Sequence, residues 1–300
     1  MGLENTPTTP RTAGEMVALA RAFLTRKGVE SARLESELLV GHALSLTRLK
    51  LFMELDRPIT PEEIDRARDL LVRRGKREPC AYILGEREFF GRPFKVGPGV
   101  LVPRPETEHI VDRARDWVRE KKARGESVTR AADFGTGSGI LAVTLALELD
   151  GVDVLAIDVS AKALEFAREN ARALSADRVQ FVEGDGFDVL AKAVAGEGGR
   201  FDLVVCNPPY IARSDRAALA PEVAEHEPEL ALFAPANDPD HFARRFLVER
   251  ERYVKSGGSI LIELGHDQAP RVRPIAAGVG AQIRVLKDYS GHERVLEISV

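Results

Sequence analysis

The chain reads as an α/β protein: a doubly wound, mostly parallel sheet preceded by a small helical bundle. Three observations predict this. Up to about residue 75, apolar positions recur only at helical spacing, behind clear helix-start signals. From about residue 131, short apolar runs alternate with helical patterns, which builds parallel strands joined by helices. Two strand-like runs close the chain and predict an antiparallel edge.

Composition bounds the rest. With 300 residues the chain can bury a sizeable core and form two modest domains. A net charge of -4 gives no global basic field of the kind nucleic acid selects. The basic run Arg73-Arg74-Gly75-Lys76-Arg77 reads as a solvated helix end. Cys80 and Cys206 are the two cysteines; they are far apart and form no metal-spaced motif, so free thiols, no metal and a cytoplasmic setting are expected. No apolar run reaches membrane-spanning length and no signal peptide is visible. The start Met1 to Thr6 matches a loose myristoylation pattern, read here as chance.

In chain order, residues 1–10 are rich in Thr and Pro and are expected to be disordered. Thr12-Ala-Gly-Glu15 is a capping box ahead of Met16, Val17, Leu19, Ala20, Phe23 and Leu24. Leu34, Leu38, Leu39 and Ala43 mark a second helix. Thr60-Pro61-Glu62-Glu63 starts a third, with Ile64, Ala67, Leu70 and Leu71 on one face. None of these helices carries a catalytic constellation, so the bundle is read as a binding or positioning domain. Beyond Pro79, Gly and Pro punctuate short pieces, and Phe89-Phe90 with Phe94-Lys95-Val96 form a hairpin turning near Gly91. This connector carries three aromatic rings, expected to face the substrate, where a floppy linker would carry Ser and Gly. A helix over about 106–122 follows, with Ile110, Val111, Ala114, Trp117 and Val118 inward. Then come the strand Ala131–Phe134, a glycine loop, a helix Ile140–Leu149, the strand Val152–Ile157, a helix capped by Ser160, and the strand Val179–Val182. The Phe201 strand, a long loop, a helix near 240–255, the strand Ser259–Glu263 and the two terminal strands 282–286 and 294–298 complete the chain.

The sharpest local signal is Phe201-Asp-Leu-Val-Val-Cys206-Asn207-Pro208-Pro209-Tyr210. A buried strand stops abruptly at two prolines, which cannot donate to a sheet ladder and hold the preceding residue extended. Asn207 is thereby fixed at the carboxyl end of a strand, where open α/β sheets bind ligands. An Asn-Pro pair alone is an ordinary turn; with the second proline and Tyr210, a planar amide, the Pro208 carbonyl and a flat ring converge, suited to a substrate NH2 group.

Gly135-Thr136-Gly137-Ser138-Gly139 follows one strand and opens a helix. A dinucleotide fingerprint needs its third glycine at position 140, which is Ile140. A ligand without a pyrophosphate, such as S-adenosylmethionine, fits better. Asp158 ends the second strand, where a carboxylate can take both ribose hydroxyls, and Asp185 ends the third, where it can meet the adenine amino group. Asp133, before the loop, can hold loop amides or meet the ligand's ammonium group.

Together, the glycine loop and Asn207–Tyr210 resemble class I methyltransferases that act on a planar nitrogen. The stretches Arg77-Glu-Pro79-Cys-Ala-Tyr82-Ile83-Leu-Gly85, Glu88-Phe89-Phe90, Leu101-Val-Pro103-Arg104-Pro105-Glu106-Thr107-Glu108, Glu227-Pro228 and Asp288-Tyr289-x-x-x-Glu293-Arg294 narrow this to the PrmC (HemK) family, which they resemble over roughly residues 77–300. The resemblance implies a class I S-adenosylmethionine-dependent fold with seven strands. With the pattern of the residues, the chain is expected to divide into a substrate-recognition domain (1–75), which matches the family in character only, a hairpin connector (76–103) and a methyltransferase domain (104–300). The resemblance implies methylation of the N5 amide nitrogen of the glutamine in the Gly-Gly-Gln motif of class I peptide chain release factors, leaving S-adenosylhomocysteine, by a monomer that contacts neither membrane nor nucleic acid. Asn207, Pro208, Pro209 and Tyr210, with Phe90 and Arg104, would hold the substrate. Asp133, the residues 135–139, Asp158, Asp185, Gly186, Phe187 and Asn207 would line the cofactor site. Some members carry an aromatic residue just after the third-strand acid to pack on adenine; here that position is Gly186, with Phe187 next.

The implied chemistry works by alignment and electrostatics, since an amide nitrogen is a poor nucleophile and a methyl sulfonium a strong electrophile. Asn207 and the Pro208 carbonyl would accept the two N–H bonds. Glu263, after the fifth strand, is equally readable as a site acid or a structural carboxylate. Three other readings stand beside this one. An amino-group DNA methyltransferase would carry a basic cleft and a target-recognition domain. A glutamine methyltransferase of a ribosomal protein would share the Asn-Pro-Pro-Tyr turn. A binding module would keep the pocket without the activity.

Overall fold

The computed structural model describes residues 9–196 and 198–300. The expectation for residues 1–10 falls largely outside them, since residues 1–8 are not described. The chain forms two compact units: the residues up to Gly85 together with Pro221–His226, and Glu86–Ala220 together with Glu227–Val300.

In the first unit the expected helix starts are realised with one change of partner. Thr60 and Glu63 form a reciprocal capping box, with Pro61 opening the helix Pro61–Gly75. At Ala13–Arg26, Thr12 caps the Glu15 amide, but Glu15 turns back to the Arg11 amide. Leu24, Leu39, Val40, Leu51, Ala67 and Leu71 form its core. Leu34, expected inward, is exposed; Ala32, Ser36, Leu39 and Val40 form the buried stripe of Ala32–Ala43 instead. The basic run is not a solvated helix end either. Arg74 is 2% exposed, pairs with Glu35 and donates to Glu222 at 2.8 Å. Glu222 lies on the short helix Pro221–His226, which the sequence reading had passed over as loop. Removing Arg74 would take from the half-buried carboxylates Glu35 and Glu222 the guanidinium that both face.

The second unit begins with the hairpin β1 (Glu86–Phe89) and β2 (Arg92–Lys95). Phe90 and Gly91 make its two-residue turn, both with positive φ (51° and 71°). Phe89 and Phe94 are buried edge to face, 6.0 Å apart, in a core with Ile110, Trp117 and Leu145. They are not presented to a substrate, because alternation in the hairpin turns both rings to the core face.

The main sheet, among the described residues, has seven strands: β3 (Arg130–Phe134), β4 (Asp153–Asp158), β5 (Val179–Glu183), β6 (Phe201–Cys206), β7 (Val254–Glu263), β8 (Gln282–Lys287) and β9 (Glu293–Ser299). Their order is β5-β4-β3-β6-β7-β9-β8, with β9 antiparallel between β7 and β8 and the β3 to β7 pairings parallel. This is the doubly wound sheet with an antiparallel edge that the sequence predicts. Each face has its own core. Ala131, Leu203 and Val205 join one; Ala132, Val204 and Cys206 join the other. Two of the helices in this unit lie where the sequence pattern predicts none. Gly186–Ala195 starts at a glycine, and Ala269–Gly278 carries Pro274 within it. A glycine at the start of one and a proline inside the other normally argue against helix.

Strand order reverses between β3 and β6. That reversal opens a crevice at the carboxyl ends of neighbouring strands, and it places the glycine loop beside the Asn207 turn.

Candidate active site

A cavity of about 510 Å³ lies in the second unit at these strand ends. Of the expected residues, Arg104, Gly135, Thr136, Gly137, Ser138, Asp158, Asp185, Gly186, Asn207 and Pro209 line it. Asp133, Gly139, Phe90, Phe187, Pro208 and Tyr210 do not, and each has a different structural task.

Asp133 is fully buried at the end of β3 and accepts from Thr136 Oγ1 (2.6 Å) and the Ala142 amide (3.0 Å). It braces the loop against the helix Ile140–Glu148 through a side-chain hydroxyl and a helix amide. Its second oxygen has no hydrogen-bond partner among the described residues. Burial pushes this carboxyl up to about 7. Gly137 donates its amide to Asp158 Oδ2 at 2.8 Å, and Ser160 donates to Oδ1 at 2.9 Å. Asp158 is also raised above the ordinary range, by burial first. Gly135, Gly137 and Gly139 all have positive φ (73°, 56°, 84°). At Gly135 and Gly137 a Cβ would meet nothing within 4 Å, so the space beside the loop is open to a ligand. At Gly139 a Cβ would stand 3.1 Å from Ala167 Cα; this glycine serves helix packing, not the cavity.

Asp185 caps the helix Gly186–Ala195, accepting from the amides of Phe187 (3.1 Å) and Asp188 (3.4 Å). Gly186 could not be aromatic here: a Cβ would fall 2.2 Å from Phe134 Cε2. Phe187 does not take over as a cavity wall. It is 2% exposed, packed on Phe134 (4.7 Å) and Phe246 (4.9 Å), with Arg245 over its ring at 3.8 Å. The rings that line the cavity are Phe134 on β3, Phe242 on the helix His241–Tyr253, and Phe233 just after the short helix Glu229–Leu232.

The residues fit S-adenosylmethionine. Apolar walls (Phe134, Ile157, Phe242) suit its adenine and thioether carbons, and the strand-end carboxylates Asp158 and Asp185 keep acceptor capacity for hydroxyl and amino groups. The open glycine loop admits a close backbone approach.

The Asn207 turn is held from a distance. Asn207 Nδ2 donates to Thr107 Oγ1 (3.0 Å), and Thr107 Oγ1 donates to Glu263 Oε2 (2.6 Å). The Tyr210 hydroxyl stands 3.5 Å from Glu263 Oε1, and its ring packs beside Gly265. Thr107 is fully buried and Glu263 is 3% exposed. Burial pushes Glu263 up to about 7 and raises Tyr210 and the Cys206 thiol as well. Pro208 is buried under this turn. Thr107 had no role in the sequence reading, although it sits in the Pro103–Thr107 stretch; nothing local marks its hydroxyl as a partner of Asn207.

Arg104 lines the cavity, yet its guanidinium donates to Glu227 Oε1 (2.7 Å) while Glu227 Oε2 takes the Val102 amide (3.1 Å). Glu227 thus pins the strap that carries Thr107. Phe90 is half-buried, with its amide on Glu108 (2.8 Å) and Arg115 over its ring at 5.7 Å. Its place is the hairpin turn, away from the cavity lining.

Comparisons with known proteins agree with this geometry. The PrmC N-terminal domain family matches residues 15–85, and the methyltransferase small domain family matches residues 119–228. The release factor glutamine methyltransferase of Chlorobaculum tepidum is 39% identical over 284 residues, covering 94% of this chain and 95% of that one. Those of Geobacter sulfurreducens (40%, covering 92% of each chain) and Deinococcus radiodurans (38%, covering 93% and 95%) are similar. Among solved structures, the human hMettl16 catalytic domain in complex with MAT2A 3'UTR hairpin 6 has a TM-score of 0.53 at 19% identity, over 77% of this chain and 82% of that one; it shares the fold. Full-length identity at this level, with the glycine loop and the Asn207 turn at one cavity, places the chain in the release factor glutamine methyltransferase family.

Proposed function

We propose that this protein transfers a methyl group from S-adenosylmethionine to the side-chain amide nitrogen, N5, of the glutamine in the Gly-Gly-Gln motif of peptide chain release factors. The observation that carries the reading is the amide of Asn207. Its nitrogen is committed to Thr107, so its oxygen remains the acceptor end at the lip of the cofactor cavity.

Asn207 Oδ1 and the Pro208 carbonyl accept the two N–H bonds of the substrate amide and hold its nitrogen in one orientation. Pro209 stiffens the turn, and the Tyr210 ring gives the pocket an apolar wall. The acceptor dipoles favour the positive charge that develops on nitrogen, and they are already in place before reaction. The cofactor supplies the electrophilic methyl sulfonium. Asp133 and Asp158 keep the loop 135–139 open for it, and Phe134 and Phe242 keep its surroundings apolar.

Among its described residues the first unit carries no catalytic constellation, and we assign it to recognition of the release factor. Among the described residues no helix is long and apolar enough to cross a membrane. The working form in this reading is a cytoplasmic monomer that does not engage nucleic acid. Labelled methyl transfer to purified release factors, ribosomal proteins and DNA, assayed side by side, tests the whole reading. Label should enter release factor alone, and a factor with its motif glutamine changed to alanine should take none. Label in DNA or ribosomal protein instead would overturn it.

A further inference from the structure

We infer that Thr107 and Glu263 are positioning residues: they form a relay that turns the Asn207 amide so that its oxygen faces the substrate, and the charge on Glu263 decides whether the relay holds. The inference rests on the proposed role of Asn207 and adds what sets its orientation.

The polarity of the relay follows from donor counting. A carboxylate only accepts. With Glu263 ionised, the one hydroxyl hydrogen of Thr107 is committed to Oε2, at 2.6 Å. Thr107 Oγ1 can then only accept, and Asn207 Nδ2 donates to it at 3.0 Å. An asparagine side chain has one donor end and one acceptor end, so fixing Nδ2 on Thr107 sends Oδ1 to the other side. A flipped amide would set two acceptors face to face.

Protonation of Glu263 releases this constraint. The neutral acid can donate to Thr107, whose own hydrogen then becomes free to meet Asn207 Oδ1. The Asn207 NH2 would turn outward and oppose the NH2 of the substrate, donor against donor. Thr107 is fully buried and Glu263 is 3% exposed, so a mismatched donor and acceptor within the relay has no water to turn to.

The groups around Glu263 let it titrate in the working range. Burial is the largest influence and raises it to about 7; the Thr107 hydrogen bond lowers it, Glu106 on the neighbouring strap raises it, and Arg294 on β9 and Arg104 on the strap lower it. From the β6 side it faces Cys206 and Tyr210, both pushed upward and neutral at that pH. Asp133 on β3 also stands at about 7, so a pH step must be assigned by substitution.

The experiment has two readouts. In the ligand-free protein, the Asn207 side-chain amide resonances, assigned through Asn207→Ala, should shift with pH through a midpoint near 7 set by Glu263. The shift should vanish in Thr107→Val and Glu263→Gln and persist in Thr107→Ser. In the methyl-transfer assay, wild-type kcat should rise between pH 6 and 8, roughly the range centred on a raised carboxyl. Thr107→Val should lower kcat on the order of tenfold or more with KM for release factor little changed, because the misdirected acceptor matters most where charge develops. Thr107→Ser should restore it, and Glu263→Gln, whose amide oxygen can still accept from Thr107, should stay active but lose the pH step. Melting temperature and cofactor binding confirm that each variant is folded; if Thr107→Val does not fold, the wild-type and Glu263→Gln titrations decide. A pH-dependent Asn207 shift that survives Glu263→Gln, or a wild-type rate in folded Thr107→Val, would overturn the relay. Undiminished turnover in Asn207→Ala would instead sink the role of Asn207 itself.

Discussion

The loop after β3 and the turn after β6 end neighbouring strands and line one cavity, yet they are held in opposite ways. The glycine loop is braced by residues close in sequence: Asp133 reaches Thr136, 3 positions on, and Ala142, 9 positions on, and Asp158 reaches Gly137 across 21. The Asn207 turn is braced from far away. Thr107 lies 100 positions before Asn207, and Glu263 lies 156 beyond Thr107. One arrangement is assembled by a single strand–loop–helix unit and its neighbour strand. The other exists only once the strap, β6 and β7 have all docked. The difference teaches that the glycine loop and the Asn207 turn, proposed here as cofactor site and substrate site, depend on different parts of the fold and should fail separately.

The largest expected effect tests that separation at the turn. Asn207→Ala should reduce single-turnover rates at saturating cofactor by about 100-fold or more, with much smaller changes in binding of release factor. A rate near wild type would make the turn structural only. On the loop side, Asp158→Ala should weaken S-adenosylmethionine binding by roughly 1.5–3 kcal/mol, since it removes a charged acceptor and also frees the Gly137 amide. Asp158→Asn should fall between, and isothermal titration reads both. If either variant lowered turnover at saturating cofactor as much as Asn207→Ala does, the two sites would not be separable.

A smaller effect belongs to the loop scaffold itself. Gly139→Ala meets a positive φ of 84° and the Ala167 backbone at 3.1 Å. It should cost about 1–3 kcal/mol of stability. Thermal unfolding should show the loss, with little change in turnover of the folded fraction.

The smallest effect concerns what the Asn207 turn costs the fold. Glu263 is raised from an ordinary 4.5 to about 7 by burial. Its stabilising contribution is present below about pH 4.5 and is lost as pH rises through about 7, because the unfolded chain ionises more readily than the folded one. Glu263→Gln has no charge to bury. Its melting temperature relative to wild type should therefore climb between pH 5 and pH 8; a constant difference would mean that Glu263 is not buried as a titrating acid.

Much of this was legible beforehand. The alternation of strands and helices, the Thr60 capping box and the Ser160 cap depend on residues within a few positions of one another, and periodicity records them. Helices begun by a glycine or interrupted by a proline were missed, because there tertiary packing overrides local preference. Phe187 shows the same limit: its neighbour Gly186 hinted at a substitute adenine wall, but the ring's place was decided by Phe134, Phe246 and Arg245 from other elements.

By itself, the sequence determined where chain direction and hydrogen-bonding freedom change: the glycines at 135, 137 and 139, the carboxylates closing β4 and β5, and the prolines that stop β6 at Asn207. These are properties of single residues and their near neighbours. Tertiary structure alone decided which way the Asn207 amide points, because that depends on one hydroxyl hydrogen of Thr107 and one buried charge on Glu263, brought within 3.0 Å and 2.6 Å by folding.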